Sequence, residues 1–425
     1  MWTPVAKALK SWAKRYLSSD RPLAQWVPLR DEYLAEFLRL EGRGDVAIDF
    51  CPSCPEGKVS ANPVYRCMDC TYPDLLCSEC CLCAHSDRVL DRIEKWTGES
   101  FQRITLKSMG LRVQLGHSPF KKCSAPIAAH QEFMVINWNG LHEVAVDYCG
   151  CSNAHRAGSR HQQLLRLSWY PSTHAEPQTA ATFRVLELFH ILTLQGKVTT
   201  YDFYSGLEKM TDNTGMVKLK DRYKSFMRIM REWRHIVLLK RGGRGNDGKR
   251  TVEETKPGEL GVRCPACPRP EVNLPEDWGS AEGPKRFLYI LYIAIDACFR
   301  LKHRLVSNEE KDPPLGSGWA YFTEDAPYRE YLKTVTDQKD MSTCSGLAAL
   351  DYANTKFSRG YGATGVGLGV CARHEFVQAN GAGALQKGER SSDGSQMGAE
   401  KAGLRWVSDG EAKSPDPLCS SYIYR

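Results

Sequence analysis

The 425-residue sequence has no long hydrophobic run; its longest apolar stretch, Phe287 to Phe299, reads FLYILYIAIDACF and carries Asp296 inside it. A bilayer-spanning helix needs about 20 apolar residues, so a membrane span is not expected. No secretory leader is expected either. The first residues, MWTPVAKALKSWAKRYL, are amphipathic and basic, without an unbroken apolar segment or a small-residue cleavage site. No internal repeat is visible, and neither sign of charge dominates: 57 Lys and Arg face 50 Asp and Glu, a net +7. With 42% hydrophobic and 25% charged residues, the composition is that of a soluble globular chain. At about 150 residues per domain, two or three domains are expected.

What is plentiful is cysteine, and it is clustered. Of 17 cysteines, 11 lie between Cys51 and Cys151, many in C-x-x-C or C-x-C pairs. In a chain not expected to be secreted, such pairs read as metal ligands rather than disulfides, and the odd total agrees. The expected class is α+β and multidomain. Residues 1–45 form helices, with LRDEYLAEFLRL (Leu29 to Leu40) placing its apolar residues mostly on one face. Residues 46–155 form a cysteine-cluster region, closed by strand-like alternation in FMVINWNGLHEVAVDYC. Residues 156–258 form a helical basic region, and 259–390 a mixed α/β region with a strand over Phe287–Ala297. The tail, 391–425, is rich in Ser, Gly and Ala and is expected to be disordered.

Three ligand sets can be read from spacing. The first is Cys51, Cys54, Cys67, Cys70, Cys77, Cys80, His85 and Asp91. Eight groups are what two tetrahedral zinc ions need. The order resembles interleaved zinc modules of the ZZ and B-box type, in which the first and third pairs share one ion; Asp91 stands where those modules carry His. Cys81 and Cys83 are left over. The second set, His117, Cys123, Cys149 and Cys151, makes a Cys3His site, with His142 and His155 competing for the imidazole role. The third is long-range: Cys264 and Cys267 with Cys371 and His374. Four protein ligands per ion leave no open position, so the zinc is expected to be structural.

Charge is concentrated as well. Between Lys218 and Arg250 there are 12 Lys and Arg against three Asp and Glu, an excess above that of the whole chain. Arg222, Lys224, Arg228, Arg231 and Arg234 fall on a helix, and Lys240, Arg241 and Arg244 in a Gly-rich loop suited to a phosphate backbone. DNA is the expected partner, without identifiable base-reading residues. A peptide or protein partner for the zinc region is the competing expectation; a membrane or a small-molecule substrate is not expected.

The segments YRCMDCTYPDLLCSEC, VAVDYCGC, QLLRLSWYPSTHAEPQTAATFRVLELFHILTLQGKVTTYDFYSGLEKMTDNTG, GVRCPACPRPEVNLPEDW and GVGLGVCARHEF resemble fungal KDZ (Kyakuja–Dileera–Zisupton) transposases, including their CxC-type cysteine cluster, over residues 25–390. The resemblance implies a nuclear, DNA-binding protein whose zinc region precedes a transposase core of RNase H-like fold. It also implies a carboxylate triad holding two divalent ions such as Mg²⁺. Asp296, in LYIAIDACFR, matches the family's first Asp. The pattern is lost after Glu389 and Arg390, before a second Asp or the late Glu. A truncated, catalytically incomplete copy is therefore expected, with Asp296 vestigial. Were the chain an active nuclease, Glu324, Asp325, Asp351 and Glu375 would be the partners to examine.

Overall fold

The computed structural model describes residues 21–44, 50–55, 62–72, 74–118, 121–216, 219–248, 250–298, 300–305, 307–334 and 361–385. The expected tail, 391–425, and Asp351 lie outside them. The chain divides into two compact units, 1–231 and 232–425. Both belong to a mixed α+β architecture built from several small sheets.

In the first unit, helix Arg30–Glu41 forms where the 3.6-residue spacing predicts it, with Asp31 and Glu32 in its first turn and Arg39 in its last complementing the helix dipole. Its apolar stripe does not enter a core: none of its residues is buried, and Phe37 is 70% exposed.

The next elements are short. Strands β1 (Tyr65–Cys67), β2 (Ile93–Trp96) and β3 (Phe101–Ile104) form an antiparallel sheet with Cys67 opposite Ile93. Beneath it lies a small core of Cys67, Cys81, Ile93 and Leu106. The alternating segment 133–149 breaks into three strands rather than one. They are β6 (Met134–Asn137), β7 (Gly140–Glu143) and β8 (Ala145–Cys149). All four residues of β6 are buried, because the strand is internal to a sheet ordered β7-β6-β10-β9, where β9 is Trp169–Pro171 and β10 Thr179–Thr182. β8 is the centre of a second sheet, parallel to β4 (Arg112–Gln114) and antiparallel to β5 (Pro126–Ala128).

Strands of three to five residues cannot bury a face alone, and these sheets share one core. Leu115, Phe133, Val146 and Tyr148 pack with Leu164, Trp169 and Ala180. The domain junction expected at 155/156 falls inside that core. Helix Phe183–Gly196 follows, capped by the Thr182 hydroxyl on the Val185 amide. Helix Thr200–Thr211 comes next, and Phe189, Phe203 and Phe226 meet with ring centroids 4.8 to 5.9 Å apart.

In the second unit, β11 (Ile293–Cys298) pairs antiparallel with β14 (Gly365–Cys371), which pairs antiparallel with β15 (Val377–Leu385). The strand expected over Phe287–Ala297 starts late because Pro284 opens a 3-10 helix over Gly283–Tyr289. Helix Asp325–Thr334 belongs to the same unit, as does a two-stranded ribbon of β12 (His303–Arg304) and β13 (Tyr361–Ala363).

Candidate metal centres

Two of the C-x-x-C pairs, Cys51–Cys54 and Cys77–Cys80, are tight turns that bring their two thiols together. The Cys54 amide donates to the Cys51 carbonyl at 3.2 Å. Cys77 caps helix Ser78–Ala84, its Sγ accepting from the Cys80 amide at 3.5 Å. These two turns face each other: the Sγ of Cys54 lies 3.7 Å from those of both Cys77 and Cys80, and all four sulfurs lie within 4.8 Å of one another. A disulfide would need about 2.05 Å. Four thiolates around one tetrahedral ion with bonds of about 2.3 Å would have edges of about 3.8 Å, so this spacing fits a metal.

The second group interleaves with the first. Cys67, Cys70, His85 and Asp91 converge, with His85 Nε2 3.5 Å from Cys70 Sγ and 3.6 Å from Asp91 Oδ2, and Asp91 Oδ2 3.7 Å from Cys67 Sγ. His85 is aimed by its other nitrogen: Nδ1 donates to the Cys81 carbonyl at 2.7 Å, leaving Nε2 for an ion. The Asp69 amide donates to Cys67 Sγ at 3.3 Å, an outer-sphere contact that favours thiolate. Cys81 is buried beside His85 but is no ligand, and Cys83 is exposed. Arg88 Nη2 sits 2.5 Å from Asp91 Oδ2. Spacing alone could not have found that residue, although R-x-x-D on one turn was a local signal.

The third group is His117, Cys123, Cys149 and Cys151. Cys149 Sγ is 3.5 Å from Cys151 Sγ and 4.0 Å from Cys123 Sγ, and Cys151 Sγ is 3.5 Å from His117 Nε2. Two glycines make room for it. A Cβ on Gly150 would meet Ile127 at 2.6 Å and the Ala125 carbonyl at 2.8 Å. Gly116, at φ +73°, would drive a Cβ to 2.7 Å from those of Cys149 and Ala157. Desolvation raises the Cys123 thiol, but the amides of Ala125, Gly150 and Cys151 outweigh it, and the group falls to about 6. Gln163, invisible to motif reading, accepts from the Cys149 amide at 2.9 Å and donates to the Gly158 carbonyl at 2.8 Å.

The competing imidazoles are placed elsewhere. His155 bonds the Ser152 carbonyl. His142 Nε2 bonds Asn139 Oδ1 at 2.8 Å, in a hydrogen-bonded chain that runs through Asn139 to Asp69 at 3.1 Å and through Asn137 to Thr182 at 2.8 Å. A fourth group lies in the second unit, where Cys264, Cys371 and His374 come together and Cys267 joins their buried cluster.

The basic segment forms helix Tyr223–Arg241. Lys224, Arg228, Arg231, Lys240 and Arg241 are exposed, while Arg222 and Arg234 are half-buried. Arg228 donates to the Ser172 carbonyl at 2.6 Å. Arg244 departs from the expectation of a phosphate-grasping loop residue. It is buried, paired with Asp247 and the Thr251 carbonyl, because the chain after Gly242 turns back on the helix end.

Asp296 is exposed on β11, opposite Leu368 of β14. Among the described residues no other carboxylate joins it in a metal-sized group. Asp325 pairs with Arg329 at 2.7 Å, and Glu375 occupies a left-handed turn at φ +59°.

No helix among the described residues is long and apolar enough to cross a membrane. No curated protein and no solved structure matches the chain. Two family descriptions do. Residues 106–215, which hold the third metal group and the sheets around it, match the CxC2 like cysteine cluster associated with KDZ transposases. Residues 289–400, which begin just before the strand of Asp296, match the Kyakuja-Dileera-Zisupton transposase. With a transposase-associated cysteine cluster followed by a transposase segment in one polypeptide, the chain belongs to the KDZ transposases.

Proposed function

We propose that this polypeptide is a zinc-stabilised, DNA-binding KDZ transposase chain that acts in the nucleus and, as these 425 residues stand, binds DNA without cutting it. The observation that carries the metal part is the geometry of the three groups in the first unit. Each brings four side chains within 4.8 Å of one another, with sulfur-rich donor sets. Thiolate and imidazole at tetrahedral spacing suit zinc, and sites closed by four protein ligands favour a structural role. When bound, such ions hold the turns that carry their ligands; they take no part in chemistry.

DNA binding is supported by the family membership together with the exposed cations of helix Tyr223–Arg241. Lys224, Lys240 and Arg241 are exposed, where a phosphate backbone would exchange counterions for them. Arg244 is not part of that surface. The second unit is read as the opening of an RNase H-like core: three antiparallel strands, the first carrying Asp296. Two-metal cleavage needs several carboxylates around two ions about 4 Å apart, and among the described residues Asp296 is in no group of three or more donors at metal spacing.

The test is duplex binding by the zinc-loaded full chain over a range of salt. Log affinity should fall linearly with log salt. Replacing Lys224, Lys240 and Arg241 together with Ala should weaken binding to all sequences alike and flatten the slope by about 0.9 for each phosphate no longer neutralised. Binding that ignores salt would reduce the helix to a solvated face. Incubation of supercoiled plasmid with Mg²⁺ or Mn²⁺ should give no nicks; nicking that disappears in Asp296→Ala would overturn the binding-only reading.

A further inference from the structure

The fourth cysteine group is not explained by a CxC cluster. Cys264 and Cys267 lie outside both matched segments, and Cys371 and His374 lie more than 100 residues further along. The folded chain nevertheless builds two rigid turns that face each other. Cys264-Pro-Ala-Cys267 is a turn, with the Cys267 amide on the Cys264 carbonyl at 3.4 Å. Asn273 clamps it: Nδ2 donates to the Cys267 carbonyl at 2.8 Å, and Oδ1 accepts from the Arg269 amide at 2.7 Å.

On the other side, β14 ends at Cys371, and the chain turns back at once. The Glu375 amide donates to the Cys371 carbonyl and the Cys371 amide to the Phe376 carbonyl, both at 2.8 Å. That turn swings His374 Nδ1 to 3.8 Å from Cys371 Sγ and 3.5 Å from Cys264 Sγ. Cys264 and Cys371 are 3% and 2% exposed, and Cys267 and Leu291 pack against them. None of the three cysteines is joined in a disulfide. A nitrogen and a sulfur on one tetrahedral ion, with bonds of about 2.0 and 2.3 Å, would sit about 3.5 Å apart.

We propose that Cys264, Cys267, Cys371 and His374 bind a further structural zinc ion, which fastens the Cys264–Cys267 turn to the end of β14. The consequence reaches the strand of Asp296. Cys371 is paired with Ile293, and three positions further along the same ladder Leu368 is paired with Asp296. An ion at this point holds the β11–β14 register from one end, without touching Asp296. The site stands or falls independently of the zinc ions of the first unit and of the DNA-binding surface on helix Tyr223–Arg241.

Zinc counted in the purified full chain tests it. The wild type should carry one more zinc than the Cys264→Ser, Cys267→Ser double variant, while Cys70→Ser reads the first unit separately. With cobalt in place of zinc, His374→Cys should keep the metal count and shift the visible absorption bands, because one nitrogen ligand becomes sulfur. Equal zinc in the wild type and the double variant would overturn the site, as would a cobalt spectrum unmoved by His374→Cys. A count of free thiols in denatured, unreduced protein that comes out two short and is restored in the double variant would instead mean a disulfide, and would also refute it.

Discussion

The two halves of the first unit hold themselves together by different means. Residues 50–104, together with Leu106, pack a cluster of four buried side chains under β1–β3, two of them cysteines, and carry two four-ligand groups within about forty residues of chain. Residues 106–182 have Leu115, Phe133, Val135, Val146, Tyr148, Leu164 and Trp169 in one apolar cluster, with a single ligand group at its rim. The first has too little apolar surface to offset its chain entropy; the second does not. Metal should therefore be a condition of folding for one and an addition for the other.

The largest expected effect breaks the comparison at that point. A strong chelator, or Cys70→Ser, should abolish amide-exchange protection through β1–β3 while the amides of β6 and β8 stay protected. The binding free energy of small zinc modules is on the order of 10 kcal/mol and is largely their folding free energy. Cys83→Ser, at an exposed non-ligand thiol, should change neither. Simultaneous loss of protection in both halves would mean that they fold as one and that the contrast is false.

The two halves are joined by the polar chain from Asp69 through Asn139 to His142, which supplies an intermediate effect. Desolvation lowers the His142 imidazole from 6.5 to about 4. In the unfolded chain it would take a proton near pH 6.5, whereas the folded chain resists until about 4. The unfolded state then binds more protons within that window. Stability is complete above pH 6.5 and lost as pH falls toward 4, by up to about 3 kcal/mol for this group. His142→Gln should shrink the drop in unfolding midpoint between about pH 7 and about pH 5 relative to the wild type. Acid release of metal acts on both proteins and cancels in that comparison; an undiminished drop would place the pH sensitivity in the thiol ligands.

The same contrast explains what could be read from the sequence. Ligand sets were legible wherever a tight turn puts two donors in one motif, as in Cys51–Cys54 and Cys149–Cys151, because the geometry of a turn is local. The long helices were legible for a similar reason, because 3.6-residue apolar spacing is also local. Outside the ligand sets, partnership between distant segments was not. Nothing local announces that β10 lies parallel to β6, that Gln163 supports Cys149, or that Leu164 and Trp169 close the core of the strands before them. Those depend on tertiary packing, which also drew Arg244 out of solvent and left the apolar stripe of helix Arg30–Glu41 without a buried residue.

The smallest effect sharpens the contrast within residues 50–104, between an all-sulfur group and one completed by Asp91. Carboxylate oxygen is a harder ligand than imidazole, and Asp91 is also shared: Arg88 competes with an ion for the same Oδ2, at 2.5 Å. Asp91→His exchanges this divided ligand for an undivided one and frees Arg88, which at 45% side-chain exposure can turn into solvent. The zinc affinity of the Cys67 group should then rise by about tenfold, or about 1.4 kcal/mol, which is within the range of outer-shell effects on metal sites. Arg88→Ala alone should recover part of the gain by releasing the carboxylate, and adding it to Asp91→His should add nothing further. Competition against a chromophoric chelator reads both. Unchanged affinity in Asp91→His would remove Asp91 from the ligand set and leave Cys67, Cys70 and His85 as a three-ligand site whose fourth position is open.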